Sequence, residues 1–207
     1  MTMVATRRTM VSVGEFLTLL ERPKQEQPYL YHFWALEDAD AAAVCGLASF
    51  FTLPTAGFGG YIALAPPIRG TGALPTILAR IELQMIDDGT SARGWYIECE
   101  DGNNVAGFSA LGFFEIDIAY YQPLCGSGAA NDTLACPRLH LLYKEFGAQY
   151  EPPSLTTAEF VAALSESYRY VYKVDLPESH SMFKTMIATA ESWTHVPFVP
   201  LDCVSEQ

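Results

Sequence analysis

One short loop constrains the fold of this chain more than any other part of its sequence. The residues from Gly59 to Ala65 predict a β-strand, and the loop Pro66-Pro67-Ile68-Arg69-Gly70-Thr71-Gly72-Ala73 follows at once. Apolar residues then recur at helical spacing, at Leu74, Ile77, Leu78, Ile81 and Met85. A strand that enters a helix through glycines leaves unpaired backbone N–H groups at the positive end of the helix dipole. The loop is therefore a candidate site for a pyrophosphate.

The rest of the sequence predicts further strands and helices in alternation. An acidic turn between two aromatic and β-branched segments predicts an antiparallel hairpin. A capping box formed by Thr156 and Glu159 predicts the start of a C-terminal helix. The predicted strands are Tyr29 to Leu36, Val44 to Leu53, Trp95 to Glu100, Phe113 to Tyr121 and Arg138 to Phe146, and further helices are predicted at Val13 to Glu21 and Asn103 to Leu111.

This pattern predicts a single α/β domain. The 207 residues contain no internal repeat and no linker long enough to separate two domains. We expect one domain over residues 1–207, with a core at about residues 29–147 and a helical extension at about residues 153–207.

The charge of the chain limits its partners. It has 24 acidic and 12 basic residues and a net charge of −12, which disfavours nucleic acid and anionic membranes and favours a cationic, amine-containing partner. Residues 25–68 and 94–137 contain no Lys or Arg, so Arg69 is an isolated base beside the glycine loop.

Metal binding and membrane insertion are not predicted. The five cysteines form no Cys-x-x-Cys pair, and the histidines show no metal-ligand spacing, so we expect reduced, structural thiols and no metal. No apolar run approaches the roughly 18 residues of a membrane helix, and Glu15 interrupts the N-terminus too early for a signal peptide. We therefore expect a cytoplasmic protein.

The glycine loop and the elements around it resemble those of the GNAT superfamily of acyl-CoA-dependent N-acetyltransferases. The family's loop has the pattern Q/R-x-x-G-x-G/A, in which Arg69 and Gly72 match the first and fourth positions, whereas Leu74 replaces the final Gly or Ala. The resemblance implies a mixed, largely antiparallel sheet with helices on both sides.

The same resemblance implies acetyl-CoA as the cosubstrate. The backbone amides of Gly70, Thr71, Gly72 and Ala73 would surround its pyrophosphate beside Arg69, and the backbones of Leu64 and Ala65 would pair with its pantetheine arm. Asn103 lies where family members often have a polar residue in contact with that arm.

The catalytic residues are less directly indicated. Strand alternation puts Glu98 opposite Ile97 and Cys99, and a desolvated carboxylate at that position is a candidate general base, although a structural or solvated role is the alternative. Many relatives have a tyrosine where this chain has Phe108, which cannot donate a proton. Ser109, Tyr120 and Tyr121 are the alternatives, and we favour Tyr121 because its parity matches Glu115 and Asp117.

Together these features predict an acetyl-CoA-dependent N-acetyltransferase. The expected acceptor is a small molecule with a primary amine and a positive charge, and a homodimer is left open. A non-catalytic acyl-CoA-binding or interaction module of the same fold is the alternative, because of Phe108 and Leu74.

Overall fold

The computed structural model describes residues 27–38, 43–100, 102–123, 137–148 and 151–200. The helix predicted at Val13 to Glu21 and part of the predicted hairpin turn lie outside these ranges. Within them the chain forms a seven-stranded sheet and four α-helices. The strands are β1 (Leu30–Asp38), β2 (Ala43–Thr52), β3 (Gly57–Leu64), β4 (Gly94–Cys99), β5 (Phe114–Glu115), β6 (Tyr120–Tyr121) and β7 (Arg138–Glu145), and the helices are α1 (Ala73–Asp87), α2 (Gly102–Ser109), α3 (Thr157–Glu166) and α4 (Ser181–Ala190).

The sheet is mixed, as predicted. Its strand order is β1-β2-β3-β4-β7-β5, with β6 also pairing with β7. Neighbouring strands are antiparallel except β3 and β4, which are parallel. The predicted hairpin is confirmed, since β1 and β2 pair from Leu30–Thr52 to Asp38–Ala43.

Helices cover both faces of the sheet. The α1 face carries α1 and α2, whose apolar residues Leu78, Ile81, Met85 and Val105 pack with Phe50 and Trp95. The C-terminal face carries α3 and α4, whose Phe160, Leu164, Phe183 and Met186 pack with Phe51 and Tyr96. The capping box predicted at the start of α3 is present: the Thr156 hydroxyl accepts from the Glu159 N–H, and the Glu159 carboxylate accepts from the Thr156 N–H.

The strand predicted from Phe113 to Tyr121 is wrong in its middle. The chain there forms the two short strands β5 and β6, because the backbone between them pairs with the C-terminal segment. The Asp117 N–H donates to the Pro197 carbonyl at 3.0 Å, and Ile116 forms an isolated bridge with Phe198.

None of the helices in the described ranges combines the length and apolar character that a bilayer crossing requires.

Candidate active site

The strands β3 and β4 separate at their carboxyl ends, and the gap between them is called the cleft below. These parallel strands pair only through Gly57–Trp95 and Phe58–Tyr96, and no further pairs follow toward their carboxyl ends. A bulge in β3 coincides with the separation, since the register with β2 shifts between Ala48 and Phe50. The polar backbone edges of both strands are therefore left open toward each other.

The bulge depends on a close contact between β2 and β3. The Tyr61 N–H donates to the Ser49 hydroxyl at 3.0 Å instead of to a strand carbonyl. A Cβ atom at Gly60 would lie 2.7 Å from the same hydroxyl oxygen and 3.1 Å from the Ser49 carbonyl oxygen, so any larger residue there would displace Ser49. Gly60 lies two residues beyond the last β3–β4 pair, as does Glu98 on β4. The bulge and the carboxylate are thus at the same level of the cleft.

The glycine loop leads from the open end of β3 into α1. Gly72 is the N-cap of α1 and has φ 85°, a left-handed conformation that favours glycine. Within the described residues no side chain caps this end of the helix, and a Cβ atom at Gly70 or Gly72 would have no neighbour within 4 Å. The first amides of α1 are therefore accessible to a ligand, which fits an anion at this position.

Arg69 is held at the carboxyl end of β3. Its Nε donates to the Leu64 carbonyl oxygen at 2.7 Å. The neighbouring Ala65 N–H instead donates to the Cys45 carbonyl of β2 at 2.8 Å. Because backbone groups alternate in direction along a strand, Leu64 presents its backbone away from β2, to the open side of β3. The arginine predicted to bind phosphate is thus anchored beside the strand end predicted to bind the pantetheine arm.

Two further predicted features lie at the same end of the sheet. Asn103 is exposed in the first turn of α2, which follows the carboxyl end of β4 after Glu100. An apolar groove of about 440 Å³ opens on the other side of Leu64 and Ala65, where it is also lined by Phe33 and Leu47.

Glu98 extends from β4 to the C-terminal face, where two phenols bind its carboxylate. The Tyr172 hydroxyl donates to Oε2 at 2.5 Å, and the Tyr120 hydroxyl donates to Oε1. Burial raises the pKa of Glu98 to about 7, and the two hydrogen bonds oppose that rise. Burial, and then the neighbouring Glu98, raise the pKa of Tyr120 well above its ordinary value, so Tyr120 remains a neutral donor.

The structure brings Glu98 together with Tyr120 and not with Tyr121. Tyr120 pairs with Leu139 and is fully buried, whereas Tyr121 pairs with Arg138 and directs its side chain to the opposite face. The parity of Tyr121 with Glu115 is maintained, but the Glu115 carboxylate lies 2.7 Å from Nδ1 of His140, at hydrogen-bond distance. The acid predicted at Tyr121 and the base predicted at Glu98 therefore lie on different faces.

Tyr172 is a site residue that the sequence prediction missed. It follows the C-terminal helix, 74 residues from Glu98. Its spacing from Tyr168 is four residues, so both phenols fall on the apolar side of the predicted helix. A buried phenol needs a hydrogen-bond acceptor, and this was the available signal.

Other candidate residues have structural roles. Phe108 packs edge-on against Phe113 with ring centroids 5.6 Å apart, in the core of the α1 face. Cys99 is buried in the same core. His32 pairs with Asp88 at 2.8 Å, and across the described ranges no three His, Cys, Asp or Glu residues form a metal-binding group.

Known proteins resemble this chain in their fold. No protein-family model and no curated protein matches the sequence. Among solved structures, a protein assigned as a GNAT-family acetyltransferase from Bacteroides thetaiotaomicron aligns with 81% of this chain and 84% of its own, at 13% identity and a TM-score of 0.54.

Two other solved structures align less well. The ribosomal-protein-S18-alanine N-acetyltransferase of Escherichia coli covers 69% of this chain and 82% of its own, at 15% identity and a TM-score of 0.46. An acetyltransferase structure from Agrobacterium tumefaciens covers 57% of this chain and 76% of its own, at 19% identity and a TM-score of 0.43. The Bacteroides alignment, together with the mixed seven-stranded sheet and its single parallel pair, confirms the predicted fold: this chain has the fold of the GNAT superfamily.

Proposed function

We propose that this protein is an acyl-CoA-dependent N-acetyltransferase that acts on the amine of a small acceptor. The observation that carries the proposal is the open gap between β3 and β4, which has the glycine loop at the end of one strand and a desolvated carboxylate on the other. An anion site and a proton acceptor on two sides of one cleft are what acyl transfer from a phosphorylated thioester to an amine requires.

The residues present fit coenzyme A as the donor's carrier. Accessible amides at Gly70, Thr71, Gly72 and Ala73, together with Arg69, would hold the pyrophosphate. The open backbone edge of β3 at Leu64, next to Ala65, would hold the pantetheine arm beside Asn103. The bound thioester supplies the activated acyl group.

Glu98 is the proposed general base. With a pKa of about 7, its carboxylate is partly ionised at neutral pH and can accept a proton from the acceptor amine as the C–N bond forms. The C–S bond of the thioester would break in the same reaction, and coenzyme A would leave as a thiolate that takes up a proton from solvent. An arginine or lysine partner would hold the carboxylate ionised and make it a weaker base, and across the described ranges no basic side chain lies within 4.0 Å of it. Small cationic amines remain the proposed acceptors because the net charge is −12.

Calorimetry with acetyl-CoA tests the cofactor end of the cleft. Arg69→Glu should weaken binding by roughly 10-fold or more, because a charge-assisted hydrogen bond to phosphate is replaced by repulsion. Arg80→Glu makes the same charge change at an exposed position of α1 about two turns away and should alter affinity much less. Equal affinity in the wild type and Arg69→Glu would contradict the placement of coenzyme A.

A thiol-release assay with acetyl-CoA tests the reaction. Polyamines, aminoglycosides, amino acids and arylamines are the acceptor classes to compare. Amine-dependent release supports the transferase, whereas binding of acetyl-CoA without release for any acceptor favours the non-catalytic acyl-CoA-binding module.

A further inference from the structure

The C-terminal segment contributes a side chain to the base of the proposed transferase. Tyr172 lies directly after a π-helical turn, Ser167–Val171, that extends α3. Its ring packs edge-on against Phe58 of β3, with centroids 6.1 Å apart, while its hydroxyl donates to Glu98 Oε2. Tyr172 therefore touches both strands that border the cleft.

The backbone around Tyr172 is irregular in a way that fixes its position. π-helical turns are rare, and they often occur at functional sites. The next residue, Lys173, has φ 60°, which is an uncommon and costly conformation for a residue with a side chain. Its ammonium group is held by the Tyr29 hydroxyl at 2.7 Å and by the Tyr170 carbonyl. These contacts hold the turn that delivers Tyr172 to Glu98.

The few polar groups described around Glu98 make the hydrogen bond from Tyr172 important for the ionised carboxylate. Among the described residues, the polar groups that bind the carboxylate are Tyr120 from β6 and Tyr172 from the C-terminal segment, and β7 contributes the apolar Leu141 opposite Glu98. The Gln122 amide donates to the Tyr172 oxygen at 3.3 Å, which polarises the phenol as a donor. The ionised form of Glu98 is thus stabilised by two phenols.

We propose that Tyr172 is a positioning residue for the general base: it fixes the orientation of the Glu98 carboxylate and stabilises its ionised form. This inference rests on the proposed function. Glu98 would then keep one lone pair of each oxygen for the amine proton, while the phenols occupy the others. The C-terminal segment would complete the catalytic apparatus of the sheet in addition to covering its face.

The test removes one hydroxyl at a time. Tyr172→Phe keeps the ring and should raise the pKa of Glu98 by about one unit, because it removes a hydrogen bond to the charged form. The acid limb of kcat/KM against pH should move to higher pH by the same amount. Tyr168→Phe is the matched control, since the Tyr168 hydroxyl lies on the same segment but donates to the Tyr121 backbone carbonyl at 2.5 Å. It should leave the limb in place.

A direct titration separates this inference from the proposed function. The carboxyl carbon of Glu98 can be followed by NMR in uniformly labelled protein, with Glu98→Gln to assign the signal, and this needs no substrate. A higher pKa in Tyr172→Phe and an unchanged one in Tyr168→Phe support the contact even if no amine is acetylated, in which case the proposed function alone fails. An unchanged titration in Tyr172→Phe, or an equal shift in Tyr168→Phe, would overturn the inference.

A second variant tests the same inference if Tyr172→Phe folds poorly. Gln122→Met removes the amide that polarises Tyr172 without touching Glu98. It should raise the pKa of Glu98 by a smaller amount in the same direction. No shift in Gln122→Met, in protein whose thermal unfolding matches the wild type, would count against the role of Tyr172.

Discussion

Two glutamates, Glu82 buried and Glu98 half-buried, lie on opposite faces of the sheet, and their partners differ in charge. On the α1 face, Glu82 is 7% exposed and accepts hydrogen bonds from Lys144 Nζ at 2.7 Å and Trp95 Nε1 at 3.2 Å. On the C-terminal face, Glu98 is bound by two neutral phenols. A cation compensates the charge of Glu82, whereas Glu98 can lose its charge by taking up a proton. The two carboxylates thus differ in how their charge is compensated, which fits a structural role for Glu82 and the proton transfer that we propose for Glu98.

Removal of the cation gives the largest expected effect and tests the structural half of the comparison. Lys144→Met should lower the free energy of unfolding by about 3 kcal/mol, because it leaves Glu82 buried without its countercharge. Tyr120→Phe should cost about 1 kcal/mol, since Glu98 can be protonated instead. Urea denaturation of both variants measures the difference. Equal losses would mean that the two carboxylates do not differ in this way.

Replacement of each glutamate by glutamine tests the catalytic half of the comparison. Glu98→Gln should reduce kcat by roughly 10²-fold with little change in affinity for acetyl-CoA, because the amide cannot accept the amine proton. Glu82→Gln is the matched control and should retain near wild-type kcat in protein that remains folded at the assay temperature. Steady-state kinetics decide between them. Similar kcat values for both variants would remove Glu98 from the mechanism.

The pH dependence of stability sharpens the same distinction. The pKa of Glu98 is about 7 in the folded protein and 4.5 in an unperturbed chain, so the folded state retains a proton that the unfolded state releases between these values. The associated stability is present below pH 4.5 and is lost as the pH rises through 7, which amounts to on the order of 3 kcal/mol. Thermal unfolding of Glu98→Gln should lack this loss. The contribution of Glu166, whose pKa is also raised by burial, cancels because both proteins contain it.

The smallest expected effect concerns carboxylates that are exposed. Glu100 and Asp117 are exposed, unlike Glu82 and Glu98. Their attraction for a cationic amine should fall with salt, so kcat/KM should decrease by roughly two- to threefold between 50 and 500 mM NaCl, and by a similar factor in Asp117→Asn. A neutral acceptor provides the control. An equal response to salt for the charged and neutral acceptors would show that these carboxylates do not attract the substrate.

Local signals in the sequence predicted the parts of the fold that depend on local interactions. Helical periodicity predicted α1, the capping box predicted the start of α3, and strand alternation separated Glu98 from Cys99. The break between β5 and β6 was not predictable in this way, because the backbone of Asp117 pairs with Pro197, 80 residues away. The same holds for the site: the loop at Arg69 has a local pattern, but the contact of Tyr172 with Glu98 arises from the packing of distant segments.

The short pairing between β3 and β4 also has a consequence for the folding of the chain. On one side of the gap, β1, β2 and β3 form a meander whose contacts are close in sequence. On the other side, β4 forms its backbone hydrogen bonds with β7, with Gly94 opposite Glu145. This pairing joins segments that are distant in sequence. Only two residue pairs join the halves through the backbone, so α1 and its apolar contacts provide much of the connection. The two halves of the sheet are therefore expected to behave as separate cooperative units in amide hydrogen exchange, with the meander forming first.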